Sequence, residues 1–310
     1  MTKYIIRRFL GLIPTLFVII TLSFIIVRIA PGGPFASEKK LPPQVIENLE
    51  KKFNLDQPLL LQYANYMFDI ARGDLGPSFK YHDRDVNYFI ANSLPNSLLL
   101  GVLALGLAVI LGVGAGLISA VKQNSWPDYV SMSIAVVGIS VPLFVVGPVL
   151  QYFFALKLQW FNVAGWLTGR NGTPLNLVLP IITLSLPYFA YVARLTRASV
   201  IEVLRSDYIR TARAKGLKEG VVLFKHVLKG ALLPVVSYLG PAFAGIITGS
   251  VVVEKIFRVP GLGSFFVQSA FNRDYTLIMG TVIVYSVILI LMNFLVDILY
   301  SLLDPRVSYK

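Results

Sequence analysis

The chain has 310 residues, of which 55% are hydrophobic and only 14% charged, with a mean hydropathy of +0.70; this balance excludes an ordinary soluble domain. Its 28 Lys and Arg against 16 Asp and Glu give a net charge of +12, and it has no cysteine, so disulfides, thiolate metal sites and cysteine nucleophiles are excluded. Several uncharged stretches approach or exceed the roughly 20 residues that cross a hydrocarbon core as helix, and none alternates like the strands of an outer-membrane barrel. An all-α membrane protein is expected.

In chain order, Lys3, Arg7 and Arg8 precede an apolar run over residues 9–27. No small-residue cleavage site comes before the Pro31-Gly-Gly-Pro34 turn, so the run reads as a retained first span and residues 1–29 as a first transmembrane segment. Residues 30–94 are too long for a simple connection and predict a small helical external cap. Within it, Pro42 and Pro43 precede an amphipathic stretch over 44–53, and Pro58 starts a helix that runs to Ala71. Gly73-Asp-Leu-Gly-Pro77 forms a turn cluster, and Asp85 caps a helix over 86–93. Residues 95–303 form a five-helix core with spans at 98–121, 129–156, 175–192, 231–253 and 275–303. A second external feature, 254–274, holds Pro260-Gly-Leu-Gly263 and a short interfacial helix, and 304–310 is a tail.

With the N-terminus inside, segments 1–8, 122–128, 194–230 and 303–310 carry 15 of the 28 Lys and Arg, and net charge is +10 inside against +3 outside. That asymmetry follows the positive-inside rule, and six spans return the C-terminus to the same side. The positive total is therefore a topology signal, and nucleic-acid binding is not required.

The internal loop 194–230 is the richest segment. Gly216 separates a helix-compatible run over 200–215 from another over 217–229, predicting a glycine elbow. Ile209, Ala212, Leu217, Val221 and Phe224 provide apolar anchors that a solvated loop does not need, ringed by Arg210, Arg213, Lys215 and Lys218. Gly245 and Gly249 form a small-xxx-small pair below Gly240-Pro241, suited to close packing or to a bend. Pro142, Pro148, Pro180 and Pro187 mark kinks whose freed carbonyls either face a polar path or only shape the helices. Asp297 is the single acid expected within a span, and its place near a helix end suits a helix-end contact better than ion coupling. There is no Gly-x-x-x-x-Gly-Lys-Ser/Thr loop, so the chain is not expected to hydrolyse ATP. His82 and His226 have neither metal-ligand spacing nor a serine partner, so no catalytic, metal or cofactor-binding residues are expected in this chain.

Thr211-Ala-Arg-Ala-Lys-Gly-Leu217, His226, Ala231-Leu-Leu-Pro234, Val253-Glu-Lys-Ile-Phe-Arg-Val-Pro-Gly-Leu-Gly263, Asn272-Arg-Asp-Tyr275 and Asp304-Pro305 resemble the membrane subunits of bacterial dipeptide and oligopeptide ABC importers. Arg7-Arg-Phe, Ala30-Pro-Gly and Gly73-Asp-Leu-Gly-Pro-Ser-Phe79 extend the likeness over nearly the whole chain. Leu41-Pro-Pro and Gly76-Pro-Ser-Phe-Lys-Tyr81 look most like the oligopeptide permease B subunits. The resemblance implies a type I ABC importer permease core of six transmembrane helices, whose internal loop docks on a cytoplasmic ATPase through Ile209, Arg210, Thr211, Ala212, Arg213, Ala214, Lys215, Gly216 and Leu217. In place of the wider Glu-Ala-Ala signature stand Arg210, Thr211 and Ala212, so a glutamate-dependent contact is not carried over, whereas the glycine elbow is. The implied partners are a second homologous permease subunit, two ABC ATPase subunits that bind ATP and Mg, an extracytoplasmic peptide-binding protein, the peptide substrate and membrane lipid. The implied location is the bacterial inner membrane, with both termini cytoplasmic. The alternative reading is a secondary transporter driven by an ion gradient, which would call for buried charges in repeated, interrupted helices.

Overall fold

The computed structural model describes residues 2–30, 42–81, 83–167 and 172–303, with side-chain surroundings given except at 2–9, 43, 46, 248, 249 and 299–303. The Pro31–Pro34 turn, Leu41, His82, the tail 304–310 and the surroundings of Gly249 lie outside what is described. The described residues are helical apart from turns, loops and one isolated bridge between Pro77 and Asp85. Among the described residues four helices are long and apolar enough to cross a membrane, or up to six if two sharply bent pairs each count as one span.

Two compact units divide the chain. One comprises 7–97 and 260–288. It contains most of α1 (Thr2–Ile29), α2 (Pro43–Lys52), α3 (Leu59–Ala71), the start of α4 (Val86–Val121), α13 (Leu262–Asn272) and the start of α14 (Tyr275–Leu303). Pro42 and Pro58 sit at extended backbone just before α2 and α3, where a missing N–H is harmless. α2 and α3 end on left-handed residues, Asn54 (φ 53°) and Gly73 (φ 81°). Their following amides close back onto Glu50 O at 2.8 Å and Asp69 O at 2.9 Å, which satisfies orphan carbonyls at each helix end. The core of this unit gathers Phe24, Phe79, Val86, Phe89 and Leu277. The helix expected over 86–93 does not stop before the second span: α4 runs through Pro95 as one helix of 36 residues.

The same unit explains two sequence motifs at once. Arg273 takes φ 57° after α13, and the reversal delivers Asp274, which is 1% exposed. Its carboxyl accepts hydrogen bonds from Ser78 Oγ, from the amides of Phe79 (3.1 Å) and Leu277 (3.2 Å), and from Thr276 Oγ1 (3.1 Å). The Gly73–Phe79 turn is thereby bonded to the start of α14. A buried acid needs such a full set of donors.

The other unit comprises 1–6, 98–259 and 289–310. Around α7 (Leu175–Leu204) pack α5 (Trp126–Ser140), α6 (Leu143–Leu150), α11 (Leu233–Gly249) and α12 (Val251–Phe257). The span expected over 129–156 is in fact two helices meeting at 110°, α5 and α6 with its π-helical continuation Gln151–Lys157. Pro142 is the cause: it lacks an N–H, and it pushes Val141 to φ −90°, ψ 121°, out of the helical region. The span expected over 231–253 also divides, at Ser250, and the preceding stretch meets α11 at 50°. Conversely, α7 does not end near Val192 but continues 12 residues further, carrying Arg194 and Arg197 within it.

Glycines set the closest approach. A Cβ on Gly116 would lie 2.5 Å from Ala193 O and 2.6 Å from Thr196 Cβ, and one on Gly112 would lie 2.8 Å from Val192. Gly112 and Gly116 are therefore the small-xxx-small pair that lets α4 touch the α7 backbone. A Cβ on Gly245 would meet Tyr188 Oη at 3.2 Å, whereas one on Gly240 would lie 2.7 Å from Asn293 Oδ1 on α14.

Candidate functional site

The basic loop folds as a chain of short helices. α7 ends at Leu204, and α8 (Asp207–Ala214) begins after Ser206 at φ −73°, ψ 153°. The single run expected over 200–215 is thus broken at Arg205–Ser206, because Ser206 adopts the extended backbone that precedes a helix. Beyond the cap of α8 at Lys215 comes Gly216, whose φ is +76°. The Gly216 amide bonds to Arg213 O at 2.9 Å and the Leu217 amide to Ala212 O at 3.4 Å. This pair of bonds is a Schellman closure, which requires a left-handed residue and favours glycine. The chain restarts as α9 (Glu219–Val221), a π-helical run Val222–Val227 and α10 (Leu228–Ala231). Arg213 Nε and Nη2 reach Glu219 at 3.1 and 2.6 Å across the elbow.

The predicted anchors face two ways. Ile209 (0% exposed) and Ala212 (7%) are buried with Ala120, Val200, Val222, Val227 and Ala231, so they hold α8 onto its own unit. Leu217, Val221 and Phe224 are exposed, Phe224 by 67%, and Tyr208 joins them. Around them Arg210, Thr211, Arg213, Ala214, Lys215 and Lys218 are exposed as well. The loop therefore exposes apolar side chains among charged ones, with Arg210 paired to Asp207 and Arg213 to Glu219, and α8 is amphipathic.

A buried ion pair lies behind this surface. Asp128, 2% exposed, accepts from Arg197 Nε and Nη2, both at 2.8 Å, from the Asn124 amide at 3.0 Å and from Ser119 Oγ. One carboxylate thus joins the end of α4, the start of α5 and the middle of the α7 extension. In the sequence Asp128 falls in the internal segment 122–128 and Arg197 in 194–230, so neither reads as part of a span and their pairing carries no local signal. Glu254, 1% exposed, is a second acid carried within a helix, and its Oε1 accepts from Ser250 Oγ at 2.7 Å. Asp297 is accordingly not the single acid within these helices, since Glu202 also lies inside α7, and Asp128, Glu254 and Asp297 each have partners.

The proline and glycine positions serve different ends. Pro142 makes the α5–α6 corner, whereas Pro187 lies inside a continuous α7 and Pro241 inside a continuous α11. Near that corner's far end a cleft of about 540 Å³ is lined by Gln151, Asn162, Ile256 and Arg258. Arg258 holds a left-handed conformation (φ 56°) at the end of α12, and Gln151 Nε2 donates to Val163 O and Ile256 O.

Residues 112–309 match the family described as binding-protein-dependent transport system inner membrane component, and residues 1–100 match its N-terminal counterpart. The chain is 51% identical to the oligopeptide transport system permease protein OppB of Salmonella typhimurium, with 100% of both chains covered. It is 48% identical to the protein of the same name from Haemophilus influenzae over 100% of both. It is also 46% identical to the dipeptide transport system permease protein DppB of Bacillus subtilis, over 99% of this chain and 98% of that one. Among solved structures, inward-facing forms of the MetNI methionine ABC transporter align with TM-scores of 0.56 and 0.57 at 17% and 18% identity, covering 70% of this chain and 97% of theirs, a likeness of fold. The helical core, the elbow with its Schellman closure and these full-length matches agree: the chain is a membrane protein belonging to the permease subunits of binding-protein-dependent ABC transport systems.

Proposed function

We propose that this chain is one membrane-spanning half of an importer that moves peptides, oligopeptides foremost, delivered by an external binding protein. The observation that carries this reading is the identity of about half of all residues, end to end, with oligopeptide permeases. A second homologous permease subunit completes the path. Two cytoplasmic ATPase subunits bind ATP and Mg, hydrolyse the nucleotide and dock on the loop through Leu217, Val221 and Phe224, with Arg210, Arg213, Lys215 and Lys218 around them. An apolar contact within a charged rim suits a groove on a soluble partner. Family membership favours this arrangement over an ion-gradient transporter.

Motion of the ATPases reaches the membrane through short, stiff connections. α8 is fixed to its own unit by Ile209 and Ala212, and the Asp128–Arg197 bond ties α7 to α4 and α5. A displacement of the elbow is therefore passed to α7 rather than absorbed by a slack loop, as two-state access requires. The protein lies in the bacterial inner membrane with both termini in the cytoplasm.

The test is reconstitution. Peptide accumulation in proteoliposomes should require ATP on the loop side and binding protein on the opposite side, and should persist when proton and sodium gradients are collapsed. Uptake by this chain without ATPases would overturn the importer reading. For orientation, a cysteine at Lys39 should react with an impermeant thiol reagent from outside intact cells, and one at Lys218 should not. The native chain has no cysteine, so any labelling reports the introduced site.

A further inference from the structure

The connection between the first two long helices carries a helix whose outward face is apolar. α3 has one charged residue, Asp69. Leu60, Ala64, Phe68 and Ala71 recur along it at i, i+4, i+8 and i+11 and are all exposed, Leu60 by 83% and Phe68 by 55%. Leu61, also exposed, widens this stripe. The other face is tied to the protein: Gln62 is buried, with Nε2 donating to Leu55 O at 3.0 Å and to Gln57 O at 2.7 Å, and Tyr63 and Tyr66 meet α1. A helix that turns its free side to water ordinarily carries polar residues there, and α3 carries leucines and a phenylalanine.

The attachment to α1 sets the depth of α3. The hydroxyls of Tyr63 and Thr21 share a hydrogen bond of 2.7 Å, and the Phe24 ring lies 5.4 Å from that of Tyr63 and 6.0 Å from that of Tyr66. Thr21 comes eight residues before Ile29, the last residue of the apolar span Leu10–Ile29, a rise of about 12 Å along the helix. A tyrosine side chain is shorter than this rise, so the Tyr63 backbone stays on the membrane side of Ile29. Beside Thr21, α1 exposes its own apolar stripe of Val18, Leu22, Ile25 and Ile29, which faces hydrocarbon in a membrane-spanning helix, and the stripe of α3 flanks the same contact. Arg72 closes the stripe, its guanidinium 3.9 Å from the Phe68 ring centroid, as basic side chains do when the stem lies on apolar surface and the head reaches for water or phosphate. We infer that α3 lies in the membrane interface, with Leu60, Leu61, Ala64 and Phe68 among the acyl chains of the leaflet crossed by the C-terminal end of α1. An amphipathic helix with a cation at its margin is suited to that position. The inference rests on the chain spanning a membrane and not on what it transports.

The chain has no cysteine, so Leu60→Cys, Ala64→Cys and Phe68→Cys can each carry a single nitroxide, with Glu50→Cys on the exposed side of α2 as the aqueous control. The full chain, with the subunits that co-purify with it, is placed in nanodiscs of phosphatidylethanolamine and phosphatidylglycerol. Spin relaxation is then read with oxygen, which concentrates in hydrocarbon, and with a water-soluble nickel chelate, which does not. The ratio of oxygen to nickel collision rates should be at least several-fold higher at positions 60, 64 and 68 than at position 50. Equal ratios at all four positions put the stripe in water, and protection of 60, 64 and 68 from both reagents puts it under a protein partner; either result overturns the inference. A second measurement needs no substitution: a small hydrophobic diazirine photolysed in the same nanodiscs should label residues 59–71 as it labels α1. Label on α1 with none on 59–71 would equally overturn it.

Discussion

Replacing Gly216 with valine isolates the backbone requirement of the elbow. The residue sits at φ +76°, and an ideal Cβ there would meet no heavy atom within 4 Å. No steric clash with neighbours therefore adds to the result, and the cost is that of forcing an L-residue, here β-branched, into left-handed backbone, about 1–2 kcal/mol. At that cost the closed elbow is depopulated roughly 5- to 30-fold relative to alternatives. Asparagine tolerates the same backbone far better, so Gly216→Asn serves as the matched control, with a side chain at the same exposed place. With partner ATPases in proteoliposomes, and at equal abundance, peptide taken up per ATP hydrolysed should fall several-fold in Gly216→Val and much less in Gly216→Asn. If the two variants couple equally well, or equally badly, the left-handed elbow is not what transmits the motion.

The two faces of the loop predict opposite phenotypes: Leu217→Asp with Phe224→Asp should release the ATPases from a normally inserted chain on affinity purification, whereas Ile209→Asp should lower abundance because it buries a charge in its own unit. Arg197→Leu leaves the buried Asp128 carboxylate without its cation and should destabilise by about 3–5 kcal/mol, with much of the loss recovered in the Asp128→Leu, Arg197→Leu double variant; thermal unfolding in nanodiscs measures both, and a double variant no better than the single would remove the pairing as the cause. Gly116→Leu should abolish the α4–α7 approach and fail to accumulate, while Gly106→Leu, where a Cβ meets nothing within 4 Å, should accumulate normally in immunoblots of membranes.

Much of this architecture was legible because two signals act locally. Apolar runs located four long membrane helices and the two bent pairs, since hydrocarbon tolerates little else, and Gly216 identified its elbow because a chain that must turn left-handed after a helix favours glycine. What remained hidden depended on distant partners. Arg197 and Asp128 look like boundary charges until the fold places them 2.8 Å apart, whereupon both are compatible with helices that continue past them. Pro142 reads as a kink, yet whether the helix bends gently or turns by 110° depends on what the next segment packs against. The close approach of α4 to the α7 backbone rests on Gly112 and Gly116, which no local signal marked, because only the tertiary fold decides which small residues face a helix at close range. Ile209 and Leu217 were indistinguishable as apolar loop residues, and burial separated them.

The placement of Asp128 has a consequence for how the loop works. An acid in a membrane helix invites an ion-coupling role, yet here both carboxylate oxygens are engaged, by a bidentate guanidinium, a hydroxyl and an amide. A group so fully bonded is poorly suited to taking up and releasing a proton or cation during turnover, since each release would break several charge-assisted bonds. It is well suited to holding three helix segments together while they move. The same segments are joined on the apolar side, where Ala120 of α4 and Val200 of α7 pack with Ile209 of α8. Polar and apolar bonds therefore act on one assembly, and an external push on α8 must displace α4 and α7 together or break a buried ion pair. Loosening either side alone should lower coupling before it lowers folding, which makes peptide uptake per ATP the more sensitive measure of damage to this junction.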